Sequence, residues 1–371
     1  MQTMGRLYNK QREHWYSSIG WMAAGIFSLL SLRFLPAEWV ETYYSRWLYL
    51  GIRTMLSGLA GQLPFAACYL LLCLLPAVGL WRLGRRWQAG TFASVRVGRL
   101  ILSSLAWLGG AIMVFQVLWG LNYRRIPLEE TIGIVPGPMD AGVLERALEA
   151  GTAELSLLRS HIRLQDDAPI AAWPYSSDRM ADTVRAALRT VLESFGYPAP
   201  STVRARLLHP EGLLLRIGAA GFYLPYTGEG HVDAGLHPLQ LPFVMAHEMA
   251  HGYGFGDEGN CNFLAWLACL HNRDPFVQYA GHLYYWRYLV AAYRAACPEE
   301  ADNLLRRLPA GIRADLASVQ ARMDLYPDFF PGLRDAAYER YLQAQGIREG
   351  MLSYDKLVWM ALAWRERQPQ E

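Results

Sequence analysis

The sequence predicts an α+β protein in two parts. About three transmembrane helices fall within residues 1–123, and a mostly helical domain with a small antiparallel sheet occupies residues 124–371. Charge is missing from three long runs near the start. Beyond them, apolar residues recur at helical spacing, and short apolar runs broken by turn residues fill 201–235. Only 18% of the 371 residues are charged, against about a quarter in an ordinary soluble domain, which excludes a disordered chain. A net charge of +2 leaves no electrostatic footprint for nucleic acid. The 5 Cys include no CxxC, so neither a disulfide framework nor a cysteine zinc cluster is expected.

No charged residue occurs from Trp15 to Leu32, from Thr54 to Trp81, or from Leu100 to Tyr123. Crossing the hydrocarbon takes about 20 apolar residues. The third run fits best, the second has its apolar centre at Pro64–Leu80 with Thr54–Gln62 as an interfacial lead-in, and the first is short. Trp15, Tyr16, Trp81, Trp119 and Tyr123 stand at the ends, where amphipathic rings favour the headgroup layer. The first run continues into Arg33-Phe34-Leu35-Pro36 without a small-x-small site and is read as a retained anchor rather than a cleaved signal. Arg6, Lys10 and Arg12 precede it, and Arg82, Arg85, Arg86, Arg96 and Arg99 lie between the second and third runs. Arg33, Arg46 and Arg53 lie between the first two, partly offset by Glu38 and Glu41. The richer loops belong in the cytoplasm, which puts everything after Tyr123 outside, although Arg124 and Arg125 follow directly.

Residues 138–163 and 178–196 have helical spacing, with Asp178 as N-cap and Gly196 at the C-terminal position. Residues 201–235 contain HPEG, GAAG and TGEG breaks, the texture of short antiparallel strands. Pro225 marks the run Gly221–Tyr226 as an edge strand, able to hold an extended peptide by strand addition. Helices return from Pro242 onward.

The chemistry lies in Met245-Ala246-His247-Glu248-Met249-Ala250-His251. Residues four apart share a helix face, so His247 and His251 can present ring nitrogens to one ion while Glu248 reaches a water. This is the HExxH arrangement of zinc hydrolases. With 9 His in the chain, chance supplies roughly 0.01 such matches; the motif is therefore read as functional. A catalytic zinc takes three protein ligands and keeps one open position. Asp257 has the spacing of the third metzincin ligand after the Gly254 turn, and Glu258 resembles the carboxylate that gluzincins carry on the next helix. The residue that is not the ligand is an N-cap or a first-turn acid.

Four segments then carry a resemblance: Phe115-Gln-Val-Leu-Trp119-Gly-Leu-Asn122-Tyr123-Arg, GFYLPYTGEGHVD (221–233), PFVMAHEMAHGYGFGDEGNCNFLAWLAC (242–269) and YLQAQGIREGMLSYDKLV (341–358). They are similar to a family of bacterial membrane proteins, domain of unknown function 3810, grouped with the zincin-like HExxH metallopeptidases. Family members typically read GF-x-x-Glu-Asp-Glu-Ala-Asn-Phe after the second His. The first Glu falls on Glu258, and the second falls on Asn260, where this sequence departs. The resemblance implies a zincin-like fold, Glu258 as third zinc ligand, and a multi-pass protein of the bacterial inner membrane.

The expected activity is metal-assisted peptide hydrolysis, with Zn2+ held by His247, His251 and Glu258 and with Glu248 as general base. Its partners would be a peptide or protein substrate and the lipid bilayer. His231, Tyr284 and Tyr285 are chemically suited to steady an oxyanion, although an ordinary packed aromatic is the simpler reading of each. Cys261 reads as a buried small hydrophobe. An inactive zincin serving as an envelope binding module is the alternative. A transporter is disfavoured, because few ionisable residues interrupt the apolar runs.

Overall fold

A computed structural model describes residues 2–88, 97–162, 167–170, 172–173, 175–200, 202–329, 332 and 355–367. Helix α1 (Gln2–Phe34) precedes α2 (Ala37–Trp39), which runs through a π-helical stretch, Val40–Leu48, into α3 (Tyr49–Ala60). Then come α4 (Cys68–Gln88), α5 (Val97–Leu118), α6 (Leu128–Thr131), α7 (Ala141–Ile162) and α8 (Ser177–Ser194). The strands are β1 (Arg204–Leu208), β2 (Gly221–Leu224) and β3 (Glu229–Asp233). They are followed by α9 (Leu241–Gly252), α10 (Glu258–Leu270), α11 (Pro275–Ala296), α12 (Pro298–Arg307), α13 (Ala310–Met323) and α14 (Asp355–Arg367). The protein is mostly helical with one small sheet.

Among the described residues, two stretches are long and apolar enough to cross a membrane: Trp15–Phe34 in α1 and Ile101–Leu118 in α5. These helices pack along each other. At their crossing a Cβ on Gly25 would lie 2.6 Å from Gly109 Cα, and one on Gly109 would lie 2.4 Å from the Trp21 carbonyl oxygen. Such close backbone approach is how apolar helices associate where no hydrophobic effect drives them together. The second expected span is shorter than the sequence suggested. The charge-free run from Thr54 breaks between α3 and α4, around Gly61 and Pro64, which leaves only Cys68–Trp81 as an apolar helix. Arg96 of the basic loop and residues 341–354 of the late segment lie outside the described residues.

The stretch read as a loop between the first two runs is helical, and one face is buried. Val40, Tyr44, Tyr49 and Arg53 turn inward, while Trp39, Tyr43, Trp47, Met55 and Leu59 stay exposed. Arg53 donates to the carbonyls of Tyr253 and Pro198 at 3.5 and 3.3 Å. Glu41 accepts from Arg46 at 2.7 Å and from Arg125 at 2.8 Å. Arginines that looked like loop charges therefore fasten this helix to the domain.

The sheet order is β1-β3-β2, with β1 parallel and β2 antiparallel to β3. It is thus mixed rather than antiparallel. The connection 209–220 is too long for a hairpin, and buried Asp233 pins it by accepting from the amides of Gly212 and Leu214, both at 2.7 Å. The chain passes over β3 and returns on its far side, so β2 is an edge strand, as Pro225 predicted. Helix α8 is capped by Ser176, whose side chain accepts from the Arg179 amide; Asp178 sits in the first turn. Gly196 has φ +76°, the left-handed geometry a helix terminator needs. The core centres on α10, buried over Gly259–Cys269 and wrapped by α8, α9, α11 and α14.

Candidate metal centre

Helix α9 begins with a proline in its first turn and is apolar nearly all round, so it lies inside the domain. Its polar groups must find partners there or face a cavity. His247 and His251, one turn apart, stand edge to face with ring centroids 4.8 Å apart. Gly254, at φ +89°, reverses the chain, and the Phe255 carbonyl comes back to His251 Nδ1 at 2.8 Å. Asp257 then caps α10 by accepting from the Asn260 amide at 2.8 Å. The next residue, Glu258, places its carboxylate 3.0 Å from His247 Nε2 and 3.6 Å from His251 Nε2. One turn further along α10, Asn262 Oδ1 meets His247 Nδ1 at 2.8 Å.

This arrangement fits a cation. Each Nδ1 faces an acceptor oxygen, so each takes its ring's proton and leaves a lone pair on Nε2. Those two Nε2 atoms confront each other at 3.1 Å, with the Glu258 oxygens beside them. Acceptors meeting at one point repel unless positive charge lies among them. His247, His251 and Glu258, whose donor atoms all lie within 4.8 Å of one another, form a group that could hold a metal ion. The same demand for positive charge shows in the electrostatics, where a second proton on His251 can stand in the place of a metal. Burial opposes charge on His251, yet Cys261 and Glu258 outweigh it and raise its pKa well above the ordinary value. Burial likewise opposes charge on Glu258, and the two histidines reverse that, holding its pKa well below the carboxylate range.

Glu248 is buried beside this group, and its Oε2 has no hydrogen-bond partner. Burial pushes its pKa up to about 7, with Glu258 adding to the rise and the histidines resisting it. The sheet presses on this carboxylate: a Cβ on Gly230 would lie 2.7 Å from Glu248 Cβ, and one on Gly221 would lie 2.8 Å from its Oε1. His247, Glu248, His251 and Glu258 all line a cavity of about 580 Å³. Its walls include β2, α11 through Tyr284 and Tyr288, and the end of α5 through Phe115, Trp119 and Tyr123.

Other residues singled out in the sequence fall elsewhere. Asp257 points away from the histidines to Lys356 Nζ at 3.2 Å, and that ammonium also meets Glu129 at 2.6 Å. Tyr284 lines the cavity, stacked on Phe243 at 3.9 Å. His231 lies in β3 against the Phe222 ring, and Tyr285 packs on Trp266; neither lines the cavity. The Cys261 thiol sits behind His251, 3.4 Å from Nδ1.

Residues 44–362 match the family model described as "Protein of unknown function (DUF3810)". The chain belongs to this family. The DUF3810 region begins in the π-helical stretch and ends in α14, so it holds the whole metal group, the helical clamp of Arg53, and α5. No curated protein and no solved structure gives a significant match.

Two contributors escaped the sequence reading. Asn262 orients His247, and its spacing of four from Glu258 on one helix was a usable signal. Trp119 donates its indole N–H to the His251 carbonyl at 2.7 Å; with 132 residues between them, no local pattern announces that contact.

Proposed function

We propose that this protein is a membrane-anchored zinc metallopeptidase of the zincin type. The observation that carries the reading is a set of acceptors converging from His247, His251 and Glu258 beside a buried carboxylate that lacks a partner, in one cavity. Two imidazoles and a carboxylate are the donors of a catalytic zinc site that keeps one position open. When bound there, zinc polarises a carbonyl and makes a water more acidic. Glu248, buried in the same cavity with one carboxylate oxygen free of hydrogen bonds, is placed to take a proton from water and return it to a leaving amine. Asn262 and the Phe255 carbonyl keep both rings turned with Nε2 toward the site, the support on the far ring nitrogen that metal-binding histidines need. Strand β2, at the sheet edge along the cavity, offers backbone groups to an extended peptide. Tyr284 and Tyr288, on α11, are among the hydroxyl-bearing residues of the wall and are suited to steady a developing oxyanion.

In this reading the N-terminus is cytoplasmic, α1 and α5 cross the bacterial inner membrane, and α4 supplies a third crossing. Its apolar part, Cys68–Trp81, covers about 21 Å at 1.5 Å per residue, and the arginines that follow it reach the headgroup layer. The metal site then lies outside the cytoplasm. The test is hydrolysis of a quenched-fluorophore peptide mixture by detergent-purified, zinc-loaded full-length protein. Wild type should cleave, and Glu248→Gln should fall by about 10²–10⁴-fold with metal content and melting temperature unchanged. Equal rates in the two proteins would overturn the hydrolase assignment.

A further inference from the structure

The metal group lies at the end of an apolar helix. Trp119 is one residue beyond the apolar stretch Ile101–Leu118, and its indole is bonded to the His251 carbonyl at 2.7 Å. Its ring also meets the His251 ring edge-on at 6.2 Å and Tyr223 of β2 at 6.0 Å. Phe115, four residues earlier and inside the apolar stretch, lines the same cavity. The edge strand reaches further along this helix. Tyr226, in the turn between β2 and β3, donates its hydroxyl to the Ala111 carbonyl at 3.0 Å. Ala111 lies about 10 Å before the end of the stretch, at 1.5 Å per residue. One wall of the cavity and the tip of the strand along it are therefore level with the hydrocarbon side of α5. The exposed face of α2 to α3, with Trp39, Tyr43 and Trp47, has the composition of an interfacial belt.

We infer that the site takes polypeptide at the point where it leaves the bilayer, the juxtamembrane segment of another membrane protein. This rests on the hydrolase and membrane readings above and names their substrate class. A soluble chain would have to descend to the membrane surface to enter the cavity, whereas a chain emerging from the bilayer is already at that level. The edge strand selects peptide over lipid, because only a polypeptide offers a ladder of N–H and C=O groups at strand spacing.

The test uses zinc-loaded full-length protein in nanodiscs. The probes are single-span reporter proteins carrying one degenerate cleavable segment about 3, 10 or 30 residues beyond the span, together with the same segment as a free peptide. Extended chain covers about 3.3 Å per residue, so the three segments stand up to about 10, 33 and 100 Å beyond the span, and the far one must fold back furthest to enter the cavity. Cleavage at the near positions should be at least about tenfold faster than at the far one; every reporter shares the same membrane density, so the gradient reads how far the segment stands from the bilayer. In Glu248→Gln protein with a photo-crosslinker replacing Ile217, an exposed residue of the cavity rim, near segments should crosslink and far ones should not. Equal rates at all distances, or preference for the free peptide, would leave the hydrolase standing and sink the juxtamembrane inference. Release of fatty acid from the lipids in place of peptide cleavage would also sink it. Wild type indistinguishable from Glu248→Gln on every probe would remove the hydrolase and the inference together.

Discussion

Two of the sites at which the domain buries acids are treated oppositely. Asp315, fully buried on α13, accepts from Arg159 Nε at 2.9 Å, from the Tyr279 hydroxyl at 2.6 Å and from the Ile170 amide at 2.7 Å. Both of its oxygens have donors, one of them a cation, and the cluster joins α7, α11 and α13. In the metal group the Glu258 carboxylate faces two ring nitrogens that carry lone pairs, and Glu248 Oε2 and the nearby Asn260 Oδ1 have no partners. A buried charge whose hydrogen bonds are complete holds elements together; one left open in a cavity waits for something to complete it. The contrast separates an acid that ties elements together from a group that could hold a metal ion, without reference to any relative.

The strongest way to break this comparison is to exchange amide for acid at the two candidate ligands. Glu258→Gln should emerge from dialysis with almost no zinc by elemental analysis, while Asp257→Asn, which alters only a cap and the Lys356 contact, should keep it. The reverse pattern would move the ligand to Asp257 and dissolve the contrast. Asp315→Ala should act on the other side. It strands a buried guanidinium, a phenol and an amide, and removing one partner of such a network costs about 3–5 kcal/mol. Denaturant unfolding should show that loss, with zinc per folded molecule unchanged. A smaller effect sharpens the picture within the site: Asn262→Ala frees the His247 ring and should weaken zinc by about 10–100-fold in a chelator competition. Unchanged affinity would mean that something other than Asn262 turns that ring.

Residues close in sequence made the site legible; residues brought together by tertiary packing did not. His247, His251 and Glu248 are readable because helix geometry alone sets their relation; the glycine turn between the two helices narrowed the third donor only to Asp257 or Glu258, and the family resemblance, not the spacing, favoured Glu258. The apolar helices α1 and α5 were readable from missing charge, and β2 as an edge strand from Pro225. The sheet was misjudged because turn residues mark where a chain breaks but not which strand it pairs with next; β3 pairs with both β1 and β2, and Asp233 holds the connection between them. The helical run from Ala37 to Ala60 was hidden for a related reason. Its arginines look solvated in the sequence, and their partners are carbonyls near residues 198 and 253 and the carboxylate of Glu41. Trp119 shows the same limit from the other side: it was read as an interfacial ring, while its indole bond to His251 depends on the assembled fold.

A last comparison concerns buried histidines outside the metal group, which belong to neither class of acid but test the same idea. His231 is fully buried with no partner on either nitrogen, and burial, helped by Arg206, drives its pKa down to about 4. His282 also falls to about 4; burial outweighs the pull of Glu154 at 3.3 Å, and Arg365 adds to the drop. In both cases the folded pKa lies below the unfolded value of about 6.5, so the unfolded chain binds more protons between those limits. Stability is therefore complete above pH 6.5 and falls as pH drops toward 4, by about 1.4 kcal/mol per pH unit for each histidine. The check is a pair of unfolding series on chelator-treated protein, wild type and His231→Gln, from pH 7.5 to 4.5. Carboxylates and the metal-site histidines titrate alike in both proteins, so the difference isolates His231, and the variant should lose stability less steeply. Parallel curves would show that this ring takes up its proton inside the fold, contrary to the rule that a buried group left without partners must be neutral or functional.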